Sequence, residues 1–545
     1  LPGLDRTDFL VADEDGESVH QFDRRGRHLR TLDARTKAVR QTFSYENGLL
    51  SRITDVAGNV TRLERDLEAG VLTAFIGPYG QRTEVSQSGP VSPLTALTNP
   101  AGETHRLSYA PGGLLTRFET PRGHASTFSY DSLGRLERDQ NAAGGSQNLS
   151  RTDLPTGTGL SRGYEATRVT GGNRTARYLI ETLPTGTRRS LNTAYDGTQT
   201  TRLEHTDGSS QVTQPDGTAL NWRKGPDPRF GMQAPVVSDL WIVTGGITAQ
   251  RSHQRSAVLA DANDPLSLVT LTDSWTLNGR TTTEVYDAAS RTSSTTSPAG
   301  RLESSQLDAL GRLVQLQDAN LAPTLLSYDA RGRLASVAQG VGVDTRRYTL
   351  GYNAQGYLDT LTDPLNRSYT FTYDLAGRVT QASLPDSRTL RYAYDANGNL
   401  TALTPPGRPA HSFDYDAVDQ PEVYAPPVIS GDPRTRYSYK LDKQLRQITR
   451  PDGQTLTFNR DTAGRLTQLL MPHGNLGYAY DPATGKLTTT TAPDGGTLSY
   501  GYTGALLTQV SWSGTVPGSV NYSYDSDFRV ASISVNGANP IGLGY

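Results

Sequence analysis

The chain has 545 residues, enough for several ordinary domains or one long repeat array. Its 53 basic and 55 acidic residues leave a formal net charge of −2, which gives no electrostatic case for nucleic acid or an anionic membrane. It contains no cysteine, which excludes disulfide staples, thiolate metal sites and cysteine nucleophiles, and no stretch approaches the ~18 apolar residues of a membrane span. Leu1-Pro2-Gly3-Leu4-Asp5 has no basic start followed by an apolar run, so no signal peptide is read there.

Taken in chain order, a repeating unit first shows at Phe22-Asp23-Arg24-Arg25-Gly26-Arg27, loosens at Tyr45 and Tyr109, and is complete at Tyr130-Asp131-Ser132-Leu133-Gly134-Arg135-Leu136. Residues 1–140 read as one stretch of such repeats. Residues 141–276 are less regular: Pro-Gly turns persist, but the Tyr-Asp marker is sparse apart from a loose copy at Tyr195. Within them, residues 225–235 (Gly-Pro-Asp-Pro-Arg-Phe-Gly-Met-Gln-Ala-Pro) read as a loop-like insertion or seam. From 277 to 545 the repeat is regular. Its marker tyrosines are Tyr286, Tyr328, Tyr352, Tyr373, Tyr394, Tyr415, Tyr439, Tyr480, Tyr502 and Tyr524, with Leu307 and Arg460 filling two slots. Spacings run from 20 to 24 residues, most often 21. A fixed period of about this length marks one supersecondary unit used many times.

The unit reads as strand, turn, strand, turn. Tyr369, Phe371 and Tyr373 alternate with Thr370 and Thr372, and Leu390, Tyr392 and Tyr394 alternate with Arg391 and Ala393, the period of a pleated strand. Asp374 at the first and Gly377 at the fourth position of the turn suit type I geometry, before the return strand at Arg378-Val379. The same reading applies to Asp329, Gly332 and Arg333 after Tyr328, and to Asp395 and Gly398 after Tyr394. Between markers, Pro451-Asp452-Gly453 and its analogues supply the second turn.

A propeller of four-stranded blades would repeat its motifs every two hairpins. Here the motif returns every hairpin, so all hairpins share one environment and the expected fold is all-β: antiparallel hairpins side by side in one sheet. Some fifty strands at about 4.8 Å would stretch roughly 240 Å. Twist forbids so wide a flat sheet, so the expectation is a β-spiral shell or barrel, too wide to fill and therefore hollow. The 35% apolar content and the excess of Tyr (27) over Phe (11) fit a wall one sheet thick, because tyrosine packs a ring and still offers a hydroxyl.

Tyr-Asp-x-x-Gly-Arg-Leu at this spacing resembles the tyrosine-aspartate (YD) repeats of the Rhs family, which includes bacterial Rhs polymorphic toxins, Tc toxin C-component shells and teneurins. The resemblance covers essentially the whole chain and is strongest from Tyr286 on; residues 227–235 also resemble a tract of bacterial and teneurin-like members. It implies a hollow β-spiral shell. In the toxins that shell encloses a C-terminal polypeptide cargo freed by a self-cleaving segment; in teneurins it belongs to an adhesion ectodomain. It also implies secretion or a cell-surface location in a bacterium. The implied partners are the chain's own C-terminal cargo or a second shell-forming chain, with a cell-surface glycan or receptor as the alternative. The chain departs from the toxin pattern in lacking an evident aspartate-based cleavage segment: Asn539-Pro540-Ile541-Gly542-Leu543 matches it only faintly, and Tyr545 falls on the period, 21 residues after Tyr524. The expectation is therefore a shell fragment and no enzyme.

An aspartate present in every copy caps turns; a catalytic site needs a unique constellation. The Asp395-Ala396-Asn397-Gly398-Asn399 run lacks the distal Glu and the twelve-residue spacing of a Ca²⁺ loop. The repeated arginines are expected to pair with aspartates of neighbouring hairpins. The eight histidines are scattered without zinc-ligand spacing, and no nucleophile elbow or phosphate loop occurs, so no cofactor is implied. Trp222, Trp241, Trp275 and Trp512 are candidates for glycan stacking or for packing in the wall.

Overall fold

The structure is a computed structural model. It describes residues 8–545 apart from 67, 88, 90, 91, 156, 158, 341, 429 and 430, so Leu1–Asp5 lie outside the described residues. Among the described residues there are 48 strands in a single sheet, one short 3₁₀ turn at Gly342–Asp344, and no α-helix. Strands pair antiparallel with their neighbours in the chain, as Ser368–Tyr373 does with Val379–Ser383, and that strand with Thr389–Tyr394. The all-β array of hairpins expected from the period is the observed fold.

Strand residues alternate between half-buried and exposed. Tyr369, Phe371 and Tyr373 are half-buried while Ser368, Thr370 and Thr372 are exposed; Leu390, Tyr392 and Tyr394 are half-buried while Arg391 and Ala393 are exposed. Return strands such as Val379–Ser383 are half-buried throughout. Neither face has the continuous burial of a sheet covered on both sides.

The turns explain the motif. The Gly377 N–H donates to Asp374 O at 3.1 Å and the Asp374 N–H to Arg378 O at 3.0 Å. Gly377 has φ +83°, so a type I turn closes on a glycine in the left-handed region. At the base of the turn the register shifts between Thr372 and Tyr373, so that Tyr373 pairs with Val379 and Thr380 is skipped. The same shift precedes Tyr130, Tyr328 and Tyr394. A bulge at one fixed place per repeat bends the strand and increases its twist. The Pro-x-Gly turn uses the same closure: the Gly453 N–H donates to Arg450 O at 2.9 Å and the Arg450 N–H to Gln454 O at 2.8 Å.

Residues 141–276 continue the array and hold its longest strands, Gly231–Thr244 and Ile247–Leu259, of 14 and 13 residues. The loop-like reading of residues 225–235 is corrected. Strand Ala219–Asp227 runs through that tract, Pro228-Arg229-Phe230 turns, and Gly231–Thr244 begins at once. Of the Pro and Gly that suggested a loop, Gly225, Pro226 and Pro235 lie within the strands and Pro228 in the turn, which is held because the Asp227 carboxylate accepts the Arg229 and Phe230 N–H groups at 2.7 and 3.1 Å.

The chain divides into two compact units. One comprises Leu1–Ser108, Lys224–Ser238 and Ser252–Pro409. Inside it, turns about 270 residues apart meet: Asn59 Nδ2 donates to Arg331 O at 2.9 Å, Gln81 Nε2 to Gln355 O at 2.5 Å, and Arg378 Nη2 to Glu103 Oε1 at 2.8 Å, across 272, 274 and 275 residues. Its buried apolar clusters are Val19, Ala34 and Leu266, and Leu268, Leu271 and Tyr286. The other unit comprises Tyr109–Arg223, Asp239–Arg251 and Ala410–Tyr545. It repeats the device with Arg465 and Asp196 at 3.2 Å across 269 residues, with Arg174 and Asp442 at 2.7 Å, and with Lys486 and Asp216 at 2.7 Å.

The two turn glycines differ in what surrounds them. A Cβ on Gly453 meets nothing within 4 Å, whereas on Gly377 it lies 2.7 Å from the Tyr357 hydroxyl and 2.9 Å from its Cζ. Both positions have positive φ. Gly453→Ala is expected to cost about 1 kcal/mol from backbone strain alone, and Gly377→Ala measurably more because Tyr357 must move. Urea denaturation midpoints of the two variants check this; equal losses would show that the Tyr357 contact carries no weight.

Candidate functional site

The residues singled out in the motif come together in a constellation repeated along the wall, not in one cleft. Asp131 Oδ1 accepts the Leu133 and Arg135 N–H groups, both at 2.9 Å, and Oδ2 accepts Arg135 Nε at 2.6 Å. Asp329 treats Arg331 and Arg333 in the same way, with Arg333 Nε at 2.8 Å. Asp374 holds the Ala376 and Arg378 N–H groups at 3.0 and 2.9 Å and Arg378 Nε at 2.7 Å. At Asp395 the partner is Asn399, whose Nδ2 donates at 3.0 Å. Gly134, Gly332 and Gly398 sit at φ +77°, +77° and +91°.

The expected pairing of arginine with the aspartate of a neighbouring hairpin is corrected: Arg135, Arg312, Arg333, Arg378 and Arg465 each pair with the aspartate four residues earlier in their own turn. The bidentate reach from position i+4 to i is shorter than the step to the next hairpin, so the local partner wins. Such pairs are partly exposed and contribute about 0–1 kcal/mol each.

Arginine still ties neighbours, but through its face. The Arg312 guanidinium lies 4.5 Å from the centroid of Tyr328, Arg333 4.3 Å from Tyr352, Arg378 5.2 Å from Tyr394 and Arg465 4.8 Å from Tyr480, in each case the tyrosine of the following repeat. That tyrosine then donates its hydroxyl back to a main-chain carbonyl of the preceding repeat. Tyr130 reaches Leu115 O at 2.8 Å, Tyr328 reaches Leu313 O at 2.8 Å, Tyr373 reaches Leu358 O at 2.6 Å, and Tyr394 reaches Val379 O at 2.9 Å. Burial pushes the Tyr328, Tyr373 and Tyr394 phenols up, so they remain protonated donors at neutral pH. Tyr286 differs. It is 1% exposed, and its hydroxyl is buried without a hydrogen-bond partner.

Asp131, Asp329 and Asp374 are held in the ionised state. At Asp131 the Arg135 N–H and guanidinium keep the carboxyl below its ordinary range. At Asp374 partial burial pushes the carboxyl up, and the Arg378 N–H and guanidinium outweigh it.

One cluster escaped the sequence reading. In the first unit, Arg255 bridges two buried carboxylates, with Nη1 3.2 Å from Asp227 Oδ2 and Nε 2.7 Å from Asp273 Oδ1. His253 Nε2 lies 2.5 Å from Asp273 Oδ1, and its ring stacks on Trp275 at 5.2 Å. Arg229, 1% exposed, donates to Ala34 O at 2.7 Å. Asp227 and Arg229 belong to the tract noted in the sequence. His253, Arg255 and Asp273 lie on two different long strands, and their only mark was a set of charges inside strand-like runs.

This geometry is a wall-building constellation with a tight tie from each hairpin to the last. Residues 6–539 match the family model of the teneurin YD-shell. The chain belongs to the teneurin YD-shell family. Among curated relatives, this YD-shell chain is 31% identical to Teneurin-4 of Mus musculus over 122 residues, which is 22% of this chain and 4% of that protein. It is 28% identical to Teneurin-m of Drosophila melanogaster over 134 residues, 24% of this chain and 5% of that protein. It is 26% identical to Teneurin-1 of Gallus gallus over 235 residues, 42% of this chain and 8% of that protein. The aligned YD-shell segment thus spans less than a tenth of the length of these relatives. Of solved structures, the crystal structure of TcdB2-TccC3 aligns over 94% of this chain and 34% of that one, at 12% identity and a TM-score of 0.38.

Two outcomes follow from the site. Tyr394→Phe is expected to cost about 1 kcal/mol by orphaning the Val379 carbonyl, whereas Tyr286→Phe is neutral or stabilising because its hydroxyl has no partner to lose; urea denaturation of both variants measures the contrast. Asp131, Asp329 and Asp374 have folded pKa values below their unfolded value of about 3.9, so their stabilisation is complete above that pH and is lost as pH falls through the lowered folded values. The urea midpoint is therefore expected to hold from pH 7 to about 5 and to fall below about 4. Asp374→Asn keeps the turn acceptor and is expected to lessen that fall by one carboxylate's share; an unchanged acid slope would show that Asp374 contributes nothing to it.

Proposed function

We propose that the chain is a non-enzymatic wall segment of a secreted or cell-surface bacterial YD-repeat protein, and that the wall encloses a polypeptide cargo. The observation that carries this reading is the match of residues 6–539 to a shell family by a sheet whose strands are tied edge to edge, with one face half-buried and the other exposed in strands such as Ser368–Tyr373. A wall of this kind separates a polypeptide from proteases and from other chains without needing a reactive group. The cargo would be the chain's own C-terminal polypeptide or a segment from a second shell-forming chain, as the resemblance to Rhs toxins implies.

The second reading is an extracellular adhesion scaffold, favoured by the teneurins among the curated relatives. The two separate in one experiment. A flexible reporter peptide carrying a protease site is fused after Tyr545, and its cleavage is followed with the wall folded and after unfolding in urea. The cargo reading expects the site to resist the protease until the wall unfolds. Prompt cleavage with the wall folded, accompanied by saturable binding of the chain to cells, would overturn it in favour of adhesion.

A further inference from the structure

In the second unit, residues 441–443 seat against two glycines far earlier in the chain. A Cβ on Gly145 would lie 1.9 Å from Leu441 O, and one on Gly172 2.7 Å from Asp442 Oδ2. Beside this contact is a cavity of about 300 Å³. Strand register decides which side chains face it. Asp139 on Leu136–Gln140 lies opposite Gln147 on Ser146–Asp153, and Gln147 lies opposite Thr170 on Arg162–Thr170. Residues directly opposite share a face, and so does Arg168, two positions before Thr170 on its strand. All four line the cavity.

The charged groups at the cavity fall into two sets. Arg174 and Asp442 are spent on each other at 2.7 Å, and Arg174 also lies 4.6 Å from the Tyr195 ring centroid. Arg168 is held by rings instead of by a carboxylate. Its guanidinium lies 5.7 Å from the Tyr178 centroid and 5.4 Å from that of Tyr195, and its Nε is buried without a hydrogen-bond partner. Among the described residues, the side chains of Arg168, Asp139 and Lys443 form no ion pair and no hydrogen bond. Opposite charges in one cavity ordinarily pair; here Arg168 is pinned on two tyrosines and Asp139 sits two strands away. A guanidinium and a carboxylate kept apart across a polar cavity fit a molecule that carries both charges itself, since each then gains a charge-assisted hydrogen bond. An α-amino acid has its carboxylate and ammonium on one carbon. Lys443 adds a second unpaired cation at the same cavity, which favours an acidic side chain. The volume is at the small end of the ~300–1,000 Å³ of ligand sites, which suits a molecule of this size.

We propose that this cavity binds a free acidic α-amino acid, with Arg168 taking the α-carboxylate, Asp139 the ammonium and Lys443 the side-chain carboxylate. The site rests on neither reading of the wall's function, so its failure would leave both standing. The full chain is titrated by isothermal calorimetry with L-glutamate, L-aspartate, L-alanine and glutarate, which is glutamate without its ammonium. The expected result is binding of glutamate or aspartate with Kd of about 0.1–1 mM, with alanine and glutarate about tenfold weaker or more. Asp139→Asn is expected to weaken glutamate about tenfold and to leave glutarate unchanged, a split that a merely structural role would not produce. Arg168→Gln is expected to weaken both, and Lys443→Ala to remove the preference for glutamate over alanine. Thermal unfolding confirms that each variant is folded, and Asp139→Asn, which keeps shape and size, decides the matter where Arg168→Gln does not fold. The proposal is overturned if no amino acid binds the folded chain up to about 10 mM. It is also overturned if Asp139→Asn binds glutamate like the parent, if Lys443→Ala keeps the preference for glutamate, or if glutarate binds the parent as tightly as glutamate does, which would make the cavity a plain anion site.

Discussion

Strands that are half-buried on one face and exposed on the other have little to bury against, so a hairpin relies on its neighbours in the plane for anchoring. The tyrosine hydroxyl supplies that anchor. Tyr394 donates to the Val379 carbonyl while Arg378, one residue earlier than Val379, lies over the same ring. The two contacts together locate a strand relative to the turn before it, and a repeat that gained or lost a residue would break both. A hydrogen bond of this type is worth about 1 kcal/mol and an exposed cation–π contact about 0.5–1 kcal/mol. Either is small alone. In a repeat array, where stability is close to a sum over units and their interfaces, the same increment at every hairpin accumulates.

The turn makes this geometry available. The aspartate carboxylate holds two main-chain N–H groups, glycine takes the positive φ, and the arginine is clamped by Nε to its own turn. Clamping leaves the flat guanidinium oriented toward the next ring, so one side chain serves two partners. At Arg378 the free end also reaches Glu103, 275 residues away, which joins distant turns of the first unit. The twist added by one bulge per repeat is what brings turns so far apart in sequence into register within a unit.

Where the repeat lapses, other chemistry takes over. Residues 224–238 bring a buried carboxylate, Asp227, into the first unit beside the apolar cluster of Val19, Ala34 and Leu266. Burying charge costs several kcal/mol per ion unless hydrogen bonds are complete. Asp227 meets that condition with two main-chain N–H groups and Arg255, whereas Arg229 donates to the Ala34 carbonyl but leaves its Nε without a hydrogen-bond partner, 3.7 Å from the Asp227 carboxylate. Read in the sequence, the prolines and glycines of this tract looked like a loop. A buried carboxylate that organises a three-residue turn has no local signature that separates it from an exposed one.

The sequence by itself determined the all-β hairpin array, the type I turns and the alternating faces, because these depend on side chains within a few residues of each other: Asp374 with Gly377, Tyr369 with Phe371. It pointed to tyrosine as the wall residue but not to what its hydroxyl meets. Only the tertiary structure decided that Arg378 pairs inside its own turn and stacks on Tyr394, that Asp227, Arg255 and Asp273 share one buried network, and that Trp222 and Trp241 line one cavity while Trp275 and Trp512 do not. Those outcomes depend on strand register and on the twist accumulated over many hairpins. A period in sequence states how often a unit recurs, while the distance between units far apart in the chain is set by angles that no single repeat contains.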